Sequence, residues 1–130
     1  MQDKNAIVVI GYSGHAYVVA EILIEQGLNL DFYTDQKELT YNPYGLKYLG
    51  CETDRDFQGW ELDVAYALGI GNNRLREKTA QIVVDHEKSL QKVISNNSSI
   101  SKKAHIGNGV VISRGALVNA LAQVEDYVIL

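Results

Sequence analysis

Branched aliphatic residues recur at every sixth position over the last third of the chain. The positions that share this spacing are Ile94, Ile100, Ile106, Ile112, Val118, Val124 and Leu130. The fourth residue after each of the first six is small or β-branched: Ser98, Ala104, Val110, Ala116, Ala122 and Val128. An amphipathic helix repeats apolar residues every three or four positions, and a strand repeats them every two. A period of six predicts neither and is typical of the hexapeptide repeats of a parallel β-helix.

The first third of the chain has a different pattern. Residues Ala6–Ile10 form a continuous apolar run, which favours a strand buried on both faces of a parallel sheet. A glycine-containing loop follows at residues 11–15, and residues 16–27 carry apolar side chains at helical spacing before ending on a glycine. Residues 28–34 predict a second strand, which ends at Asp35. Strand, glycine loop, helix, strand and acid form the opening βαβ unit of a nucleotide-binding fold.

The middle third predicts a loop, a strand and a helix. Residues 36–50 are rich in Tyr, Asn and Gly and contain the only proline, which indicates a loop with an edge strand at its end. Val64–Leu68 is another buried run, and the glycine-containing loop of residues 69–72 follows it. Asn73 is the predicted cap of a helix over residues 74–86. Both glycine loops follow parallel strands, so we expect them to meet at the carboxyl edge of one sheet.

These patterns predict an α/β protein with two parts. Residues 1–92 are expected to form a small Rossmann-like parallel-sheet domain, and residues 93–130 an incomplete hexapeptide-repeat β-helix. Three hexapeptides close one coil, so the second part holds only about two coils, whereas solenoids generally need about three stacked units or a cap. We therefore expect either mutual covering of these coils in an oligomer or a frayed terminus at Leu130.

Composition and charge exclude several classes of function. The chain of 130 residues has a formal net charge of −4, and no basic run longer than Lys102–Lys103, which argues against nucleic acid or an anionic membrane as a general partner. Its single cysteine, Cys51, forms neither an internal disulfide nor a cysteine-based zinc site, and no metal-ligand spacing occurs elsewhere. The N-terminal apolar run of five residues is too short for a signal peptide or a membrane span, so a cytoplasmic location is expected.

The glycine loops are the candidate binding site. Gly11 and Gly14 let the backbone approach a phosphate, and the first N–H groups of the following helix point toward it. Asp35, at the end of a strand, can accept hydrogen bonds from a ribose, or it is a solvated turn residue. Arg74 lies where the helix dipole disfavours a cation, so either a phosphate faces it or it pairs with Glu77 on the surface.

The three histidines differ in their expected roles. His15 begins a helix, where the dipole favours the neutral ring, and it either orients a ligand or bonds the backbone. His86 is expected to satisfy the last carbonyls of its helix, and His105 to point outward from the coils. None has a neighbouring Ser, Cys or acid at a spacing that indicates a nucleophilic site.

With these motifs in place, the chain resembles the bacterial nucleotide-sugar and sialic-acid acetyltransferases of the NeuD/PglD type. The matching segments are residues 8–16 with residues 18–23, residues 32–35, residues 67–72 with Arg74, and residues 106–109 with the hexapeptide repeats around them. The resemblance covers nearly the whole chain. Two positions depart from it: Gln36 replaces the second acid of the acidic turn, and Ser95-Asn96 replaces a His-Pro pair at the entry to the coils.

The resemblance implies a Rossmann-like domain that holds a UDP-sugar, followed by a left-handed parallel β-helix that builds homotrimers. Members of the family transfer acetyl from acetyl-CoA to a sugar amine or hydroxyl and use no metal. The residues implied to hold the nucleotide sugar are Gly11, Ser13, Gly14, His15, Asp35, Gln36, Lys37, Gly71, Asn72 and Arg74. The family's general base is a histidine further along the β-helix, and its position is expected beyond Leu130, so this chain is expected to bind without catalysing.

Two alternatives remain open at this point. One is a non-catalytic nucleotide-binding module whose short hexapeptide-repeat segment serves only for oligomerisation. The other is an NAD-binding domain, which is disfavoured because the first loop is Gly-x-x-Gly and lacks the Gly-x-Gly-x-x-Gly fingerprint.

Overall fold

The computed structural model describes residues 6–130, and residues 1–5 lie outside the described part. The first part of the fold contains four strands and two helices: β1 (Ala6–Ile10), α1 (His15–Glu25), β2 (Leu30–Thr34), β3 (Lys47–Gly50), β4 (Val64–Leu68) and α2 (Asn73–Asp85). The strands form one sheet in the order β3-β2-β1-β4, and every pair is parallel. A short 3-10 turn, Gly59–Glu61, precedes β4. The predicted Rossmann-like α/β fold is confirmed.

The central strand β1 explains this layering, because its side chains are buried on both faces. Val9 packs with the α1 residues Val19 and Leu23 on one face of the sheet. Val8 packs on the other face, in a cluster that contains Val83 of α2. A continuous apolar strand is stable only between two such layers, and burying each large aliphatic side chain contributes about 1.5–3 kcal/mol.

Several predicted boundaries differ from the observed ones. Strand β2 begins at Leu30 and not at residue 28, because Gly27 has a φ of 77° and the N–H of Leu28 donates to the carbonyl of Leu23, which closes the end of α1. Asn73 is not the cap of α2. The cap is Asn72, whose side-chain oxygen accepts a hydrogen bond from the N–H of Leu75.

Two buried tyrosines hold the loop of residues 36–46 in place. The Tyr12 hydroxyl donates to Oδ1 of Asn42 at 2.7 Å and accepts from the N–H of Tyr44 at 3.0 Å. The Tyr33 hydroxyl accepts from the N–H of Leu39 at 2.9 Å. The Tyr12 and Tyr33 rings also stack, with centroids 4.5 Å apart. The loop is therefore fixed to the sheet by these two side chains.

The second part consists of six two-residue strands: β5 (Val93–Ile94), β6 (Ser99–Ile100), β7 (His105–Ile106), β8 (Val111–Ile112), β9 (Leu117–Val118) and β10 (Gln123–Val124). They pair in parallel as β5 with β8, β6 with β9 and β7 with β10. Each pairing joins residues three hexapeptides apart, so three short strands make one coil. Six of the seven aliphatic positions at the six-residue spacing lie in one apolar cluster inside the coils. The seventh, Leu130, is 43% exposed, and its N–H donates to the carbonyl of Val111.

The coils pack directly against the sheet domain. Val93 and Val111 are fully buried in the same apolar cluster as α1. On the surface, Arg114 of the coils pairs with Glu25 of α1 and lies 3.3 Å from Glu21. The first coil is therefore held to α1 by shared apolar burial, while these exposed ion pairs add little.

Candidate functional site

Four loops meet at the carboxyl edge of the sheet and enclose a cleft of about 560 Å³. They follow β1, β2, β3 and β4, and the first three turns of α2 form a side wall. The lining residues of the loops are Gly11, Tyr12, Ser13, Gly14, His15, Asp35, Gln36, Cys51, Glu52, Thr53, Gly69, Ile70, Gly71 and Asn72. The carboxyl edge of a parallel sheet is where α/β proteins bind ligands, and this volume is in the range of small-molecule sites.

The N-terminus of α1 opens into this cleft without a cap. Gly14 occupies the cap position with a φ of 46°, no side chain caps the helix, and its first turn contains no acid. Within residues 6–130, the N–H groups of Ser13, Gly14 and His15 have no hydrogen-bond partner. Free N–H groups at the positive end of a helix favour an anion, so this end of the cleft is suited to a phosphate.

Gly11 and Gly69 bring the first and last loops into contact beneath the cleft. The N–H of Gly69 donates to the carbonyl of Ile10 at 2.9 Å. A Cβ on Gly69 would lie 2.6 Å from the Gly11 carbonyl oxygen and 2.8 Å from the Ile10 carbonyl oxygen. Both contacts are with backbone, which cannot move aside as a flexible side chain would. Only glycine at position 69 therefore allows the two loops to approach each other this closely.

We expect Gly69→Ala to lower the free energy of unfolding by about 1–3 kcal/mol, the range for forcing extra volume into a packed site. The matched control is Gly71→Ala, since a Cβ there would lie 3.4 Å from Cβ of His15, an ordinary contact. Urea unfolding followed by the fluorescence of Trp60 measures both variants. Equal stabilities of the two variants would show that the loops do not require this close approach.

Asp35 fixes the shape of the glycine loop. Its Oδ2 accepts from the N–H of Tyr12 at 3.1 Å, and its Oδ1 accepts from the N–H of Gln36 at 2.8 Å. Tyr12 is fully buried, so without Asp35 its N–H would be left unpaired. Asp35, which the sequence offers as a ligand contact or as a turn residue, therefore supports the glycine loop that leads into α1.

His15 lies in the cleft with one ring nitrogen hidden from solvent. Its Nε2 is buried and has no hydrogen-bond partner among the described residues. Burial lowers the pKa of His15 below its ordinary value of 6.5, and the nearby charge of Arg76 lowers it further. The ring is therefore neutral at pH 7 and can orient a ligand through a single N–H or lone pair.

We expect His15 to titrate below pH 6.5 in the folded chain. Since its pKa is depressed by folding, its contribution to stability is complete above pH 6.5 and is lost as the pH falls from 6.5 toward the folded-state pKa. An NMR titration of the imidazole Cε1–H signals measures this, and His15→Asn identifies the signal by its loss. A midpoint at or above 6.5 would contradict the buried environment described here.

The loop after β3 contributes residues that the sequence did not single out. Glu52 and Thr53 line the cleft, and the half-buried Cys51 lies beside them with its sulfur 3.1 Å from the Thr53 hydroxyl. The hydroxyl of the buried Thr34, at the end of β2, donates to Oε1 of Glu52 at 2.8 Å. Gly50 stands before this loop, but no buried strand pattern precedes it and no α-helix directly follows it, and only the pairing of β3 beside β2 places it at the cleft.

Eight of the ten predicted site residues line the cleft: Gly11, Ser13, Gly14, His15, Asp35, Gln36, Gly71 and Asn72. Two do not. Lys37 lies outside the lining, and Arg74 borders an adjoining groove, which shares Lys78 and Ile82 with the cleft. The cation that does line the cleft is Lys78 of α2. Leu75, Thr79 and Ile82 of the same helix line the cleft as well.

The buried arginine of α2 is Arg76, which joins the cleft wall to the coils. It is 2% exposed, and its guanidinium donates to the carbonyls of Leu68, Ile70, Gly109 and Tyr127. Burial lowers its pKa to about 10, so it remains charged at neutral pH. A sequence signal existed: position 76 lies on the same helical face as the buried Ala80 and Val83.

The other two histidines lie away from the cleft, as predicted. Nδ1 of His86 is 2.8 Å from the carbonyl of Ile82, which it helps satisfy at the end of α2, and its ring stacks on Trp60 at 4.1 Å. His105 is exposed on the coils. Over residues 6–130 there is no group of three His, Cys, Asp or Glu side chains placed to hold a metal, and no helix long and apolar enough to cross a membrane.

The fold and the cleft together define a Rossmann-like α/β domain joined to parallel coils. Residues 6–83 match the family of the PglD N-terminal domain, and the chain belongs to that family. A search of proteins with curated descriptions found no match.

Solved structures extend the similarity across the coils. The acetyltransferase domain of PglB from Neisseria gonorrhoeae, in complex with acetyl coenzyme A, is 26% identical, with a TM-score of 0.85 over 98% of this chain. A mutant of perosamine N-acetyltransferase from Caulobacter crescentus, in complex with CoA and GDP-perosamine, is 29% identical, with a TM-score of 0.85 over 96% of this chain. The chain spans 62% and 59% of those two proteins, respectively.

Proposed function

We propose that this chain is the nucleotide-sugar-binding part of an acetyl-CoA-dependent sugar acetyltransferase. The observation that carries the proposal is the cleft at the carboxyl edge, whose phosphate-binding end has three free N–H groups at the start of α1. The relative with 29% identity was solved with a nucleotide sugar, GDP-perosamine, and CoA. The site and the similarity therefore favour the same class of substrate.

The proposed ligand lies along the cleft with its diphosphate at α1. Ser13, Gly14 and His15 supply N–H groups to the phosphates. Lys78, on the opposite wall, adds a positive charge that favours an anionic ligand. Lys37 and Arg74 are left out of the proposed contacts, because they do not line the cleft.

Apolar and polar residues line different parts of the remaining space. Ile70, Leu75 and Ile82 provide an apolar wall for a base or sugar ring, and Gln36 and Asn72 provide amide groups. We propose a UDP-sugar as the ligand, since the NeuD/PglD resemblance implies one. The GDP-perosamine held by a relative makes GDP the comparison that tests this choice.

For the coils, we propose the start of a left-handed parallel β-helix that assembles as a homotrimer. The parallel pairing at three-hexapeptide intervals and the apolar interior support this architecture. The acetyl transfer is proposed for the whole protein. A general base removes a proton from a sugar amine or hydroxyl as it attacks the thioester of acetyl-CoA, the carbon–sulfur bond breaks, and coenzyme A leaves as the thiol after taking up a proton. The proposal for the chain described here is the binding step, with a sheet domain over residues 1–92 and coils over residues 93–130.

Isothermal titration calorimetry with UDP, GDP, NADH and acetyl-CoA tests the proposal on the full 130-residue chain. We expect UDP to bind more tightly than NADH, with UDP preferred over GDP. Tighter binding of GDP would overturn the choice of base but keep the class of ligand. Binding of NADH, with no binding of UDP or GDP, would overturn the proposed function.

A further inference from the structure

Glu52 is the acid of the cleft that has a free carboxylate oxygen. Its Oε1 accepts from the Thr34 hydroxyl at 2.8 Å, and Thr34 is fully buried, so the carboxylate is held in one orientation. Its Oε2 has no hydrogen-bond partner among residues 6–130. Glu52 lines the cleft, and this oxygen is the one that its contact with Thr34 leaves free.

Asp35 is placed differently, although it follows the neighbouring strand. Both of its oxygens already accept backbone N–H groups, one from Tyr12 and one from Gln36. Each Asp35 oxygen keeps one lone pair, but both oxygens are already oriented by the loop backbone, whereas Oε2 of Glu52 has neither of its lone pairs in use. Asp35 therefore shapes the glycine loop, while Glu52 offers its free oxygen to the cleft.

We propose that Glu52, and not Asp35, accepts the ribose hydroxyls of the bound nucleotide; the inference rests on the proposed nucleotide-binding function. In nucleotide-binding folds of this kind the ribose acceptor is an acid at the end of the second strand. Here β3 pairs beside β2, and the N–H of Asp35 donates to the carbonyl of Gly50, so the loop of Glu52 lies next to that position.

Charge fixes the orientation of the ligand relative to Glu52. A carboxylate attracts hydroxyl donors and repels phosphates, whereas the free N–H groups of Ser13 and Gly14 attract phosphates. The diphosphate therefore lies at the α1 end and the ribose at the Glu52 end. Thr34 is a positioning residue, since its hydroxyl acts on the ribose only by orienting Glu52.

The test compares UDP with 2′,3′-dideoxy-UDP by calorimetry on the full chain. In the wild-type protein we expect UDP to bind about tenfold more tightly, the ratio for one hydrogen bond to a charged group. In Glu52→Gln we expect this ratio to fall toward one. GDP and 2′,3′-dideoxy-GDP give the same affinity ratio for a second base, so the result does not depend on the choice of uracil.

Two further variants separate a ribose contact from a structural role. Thr34→Val keeps the shape of the side chain but removes its hydroxyl, and we expect an intermediate ratio. Asp35→Asn is expected to weaken both nucleotides by the same factor and to leave the ratio near tenfold. A ratio that survives Glu52→Gln, or that is abolished by Asp35→Asn alone, would overturn the inference. If wild-type protein binds none of the four nucleotides, the proposed function itself fails.

Discussion

Replacing Arg76 with alanine will lower the free energy of unfolding by about 3–5 kcal/mol, because it removes donors from buried carbonyls and opens a cavity. The guanidinium reaches four backbone carbonyls, two at the end of β4 and two in the coils. Alanine would leave the carbonyls of Leu68 and Gly109, whose bonds to Arg76 are buried, without this donor, and each unsatisfied buried group costs about 1–3 kcal/mol. The cavity left by the side chain adds to the loss.

Because Arg76 also donates hydrogen bonds to the coils, we expect its loss to destabilise the coils as well as α2. Gly109 and Tyr127 lie three hexapeptides apart, at equivalent corners of successive coils, and both have positive φ angles. Arg76 donates to Gly109 at 2.7 Å through one terminal nitrogen and to Tyr127 at 2.6 Å through Nε. We therefore expect hydrogen exchange in the coils to quicken in Arg76→Ala together with exchange in α2.

The matched control is the exposed Arg74, two residues away on the same helix. Arg74→Ala should change stability by no more than about 0.5 kcal/mol, as surface substitutions usually do. Arg76→Lys should fall between the two, because an ammonium keeps the charge but cannot match the fork of the guanidinium. Urea unfolding, followed by Trp60, measures all three variants. A loss below about 1 kcal/mol in Arg76→Ala would contradict a joining role for this residue.

Gly71→Leu will weaken the binding of UDP by about 100-fold or more, equivalent to about 2.7 kcal/mol. Gly71 lines the cleft, and a Cβ there would face Cβ of His15 at 3.4 Å. The branched end of a leucine has to extend from that point into the space between the first and last loops. The proposed diphosphate occupies this space, so ligand and side chain exclude each other.

Gly71→Ala is the control for this variant, because its methyl group meets only an ordinary contact. We expect it to bind UDP within about tenfold of the wild type, and both variants to unfold within about 1 kcal/mol of it. Calorimetry with UDP gives the affinities. Full affinity in Gly71→Leu would show that the nucleotide does not lie between these loops.

The sequence predicts the elements whose side chains form long uninterrupted patterns. β1 and β4 are continuous apolar runs because both faces of the sheet are covered, and the coils repeat because each strand places one side chain inside. Helix boundaries are harder to predict from the sequence, since a single capping residue decides where each helix begins. Asn72 and Asn73 are equally good caps by residue type, and only the backbone shows which one accepts from Leu75.

The candidate site is predicted where glycines mark it and missed where tertiary pairing creates it. The loop of Glu52 reaches the cleft only because β3 pairs beside β2. Reasoning from the loop does not show which face of α2 Arg74 occupies, because a helix turns about 100° per residue. Leu75, Thr79 and Ile82 share the face toward the cleft, while Arg74 borders the groove beside it.

Lys37 lies outside the lining for a related reason. The chain is fixed soon after Gln36, where the N–H of Leu39 donates to the buried Tyr33 hydroxyl. Tyrosine rings inside the sheet domain therefore set the path of the loop, and no local pattern at residues 36–39 shows it.

The most direct test of the central claim is a titration of the ¹⁵N-labelled chain with UDP, followed residue by residue in amide NMR spectra. We predict that the largest shifts occur at Ser13, Gly14 and His15, whose N–H groups are free, with smaller shifts at Glu52 and Gly71. Largest shifts in the groove of Arg74 and Tyr127, or no shifts at millimolar UDP, would contradict the account.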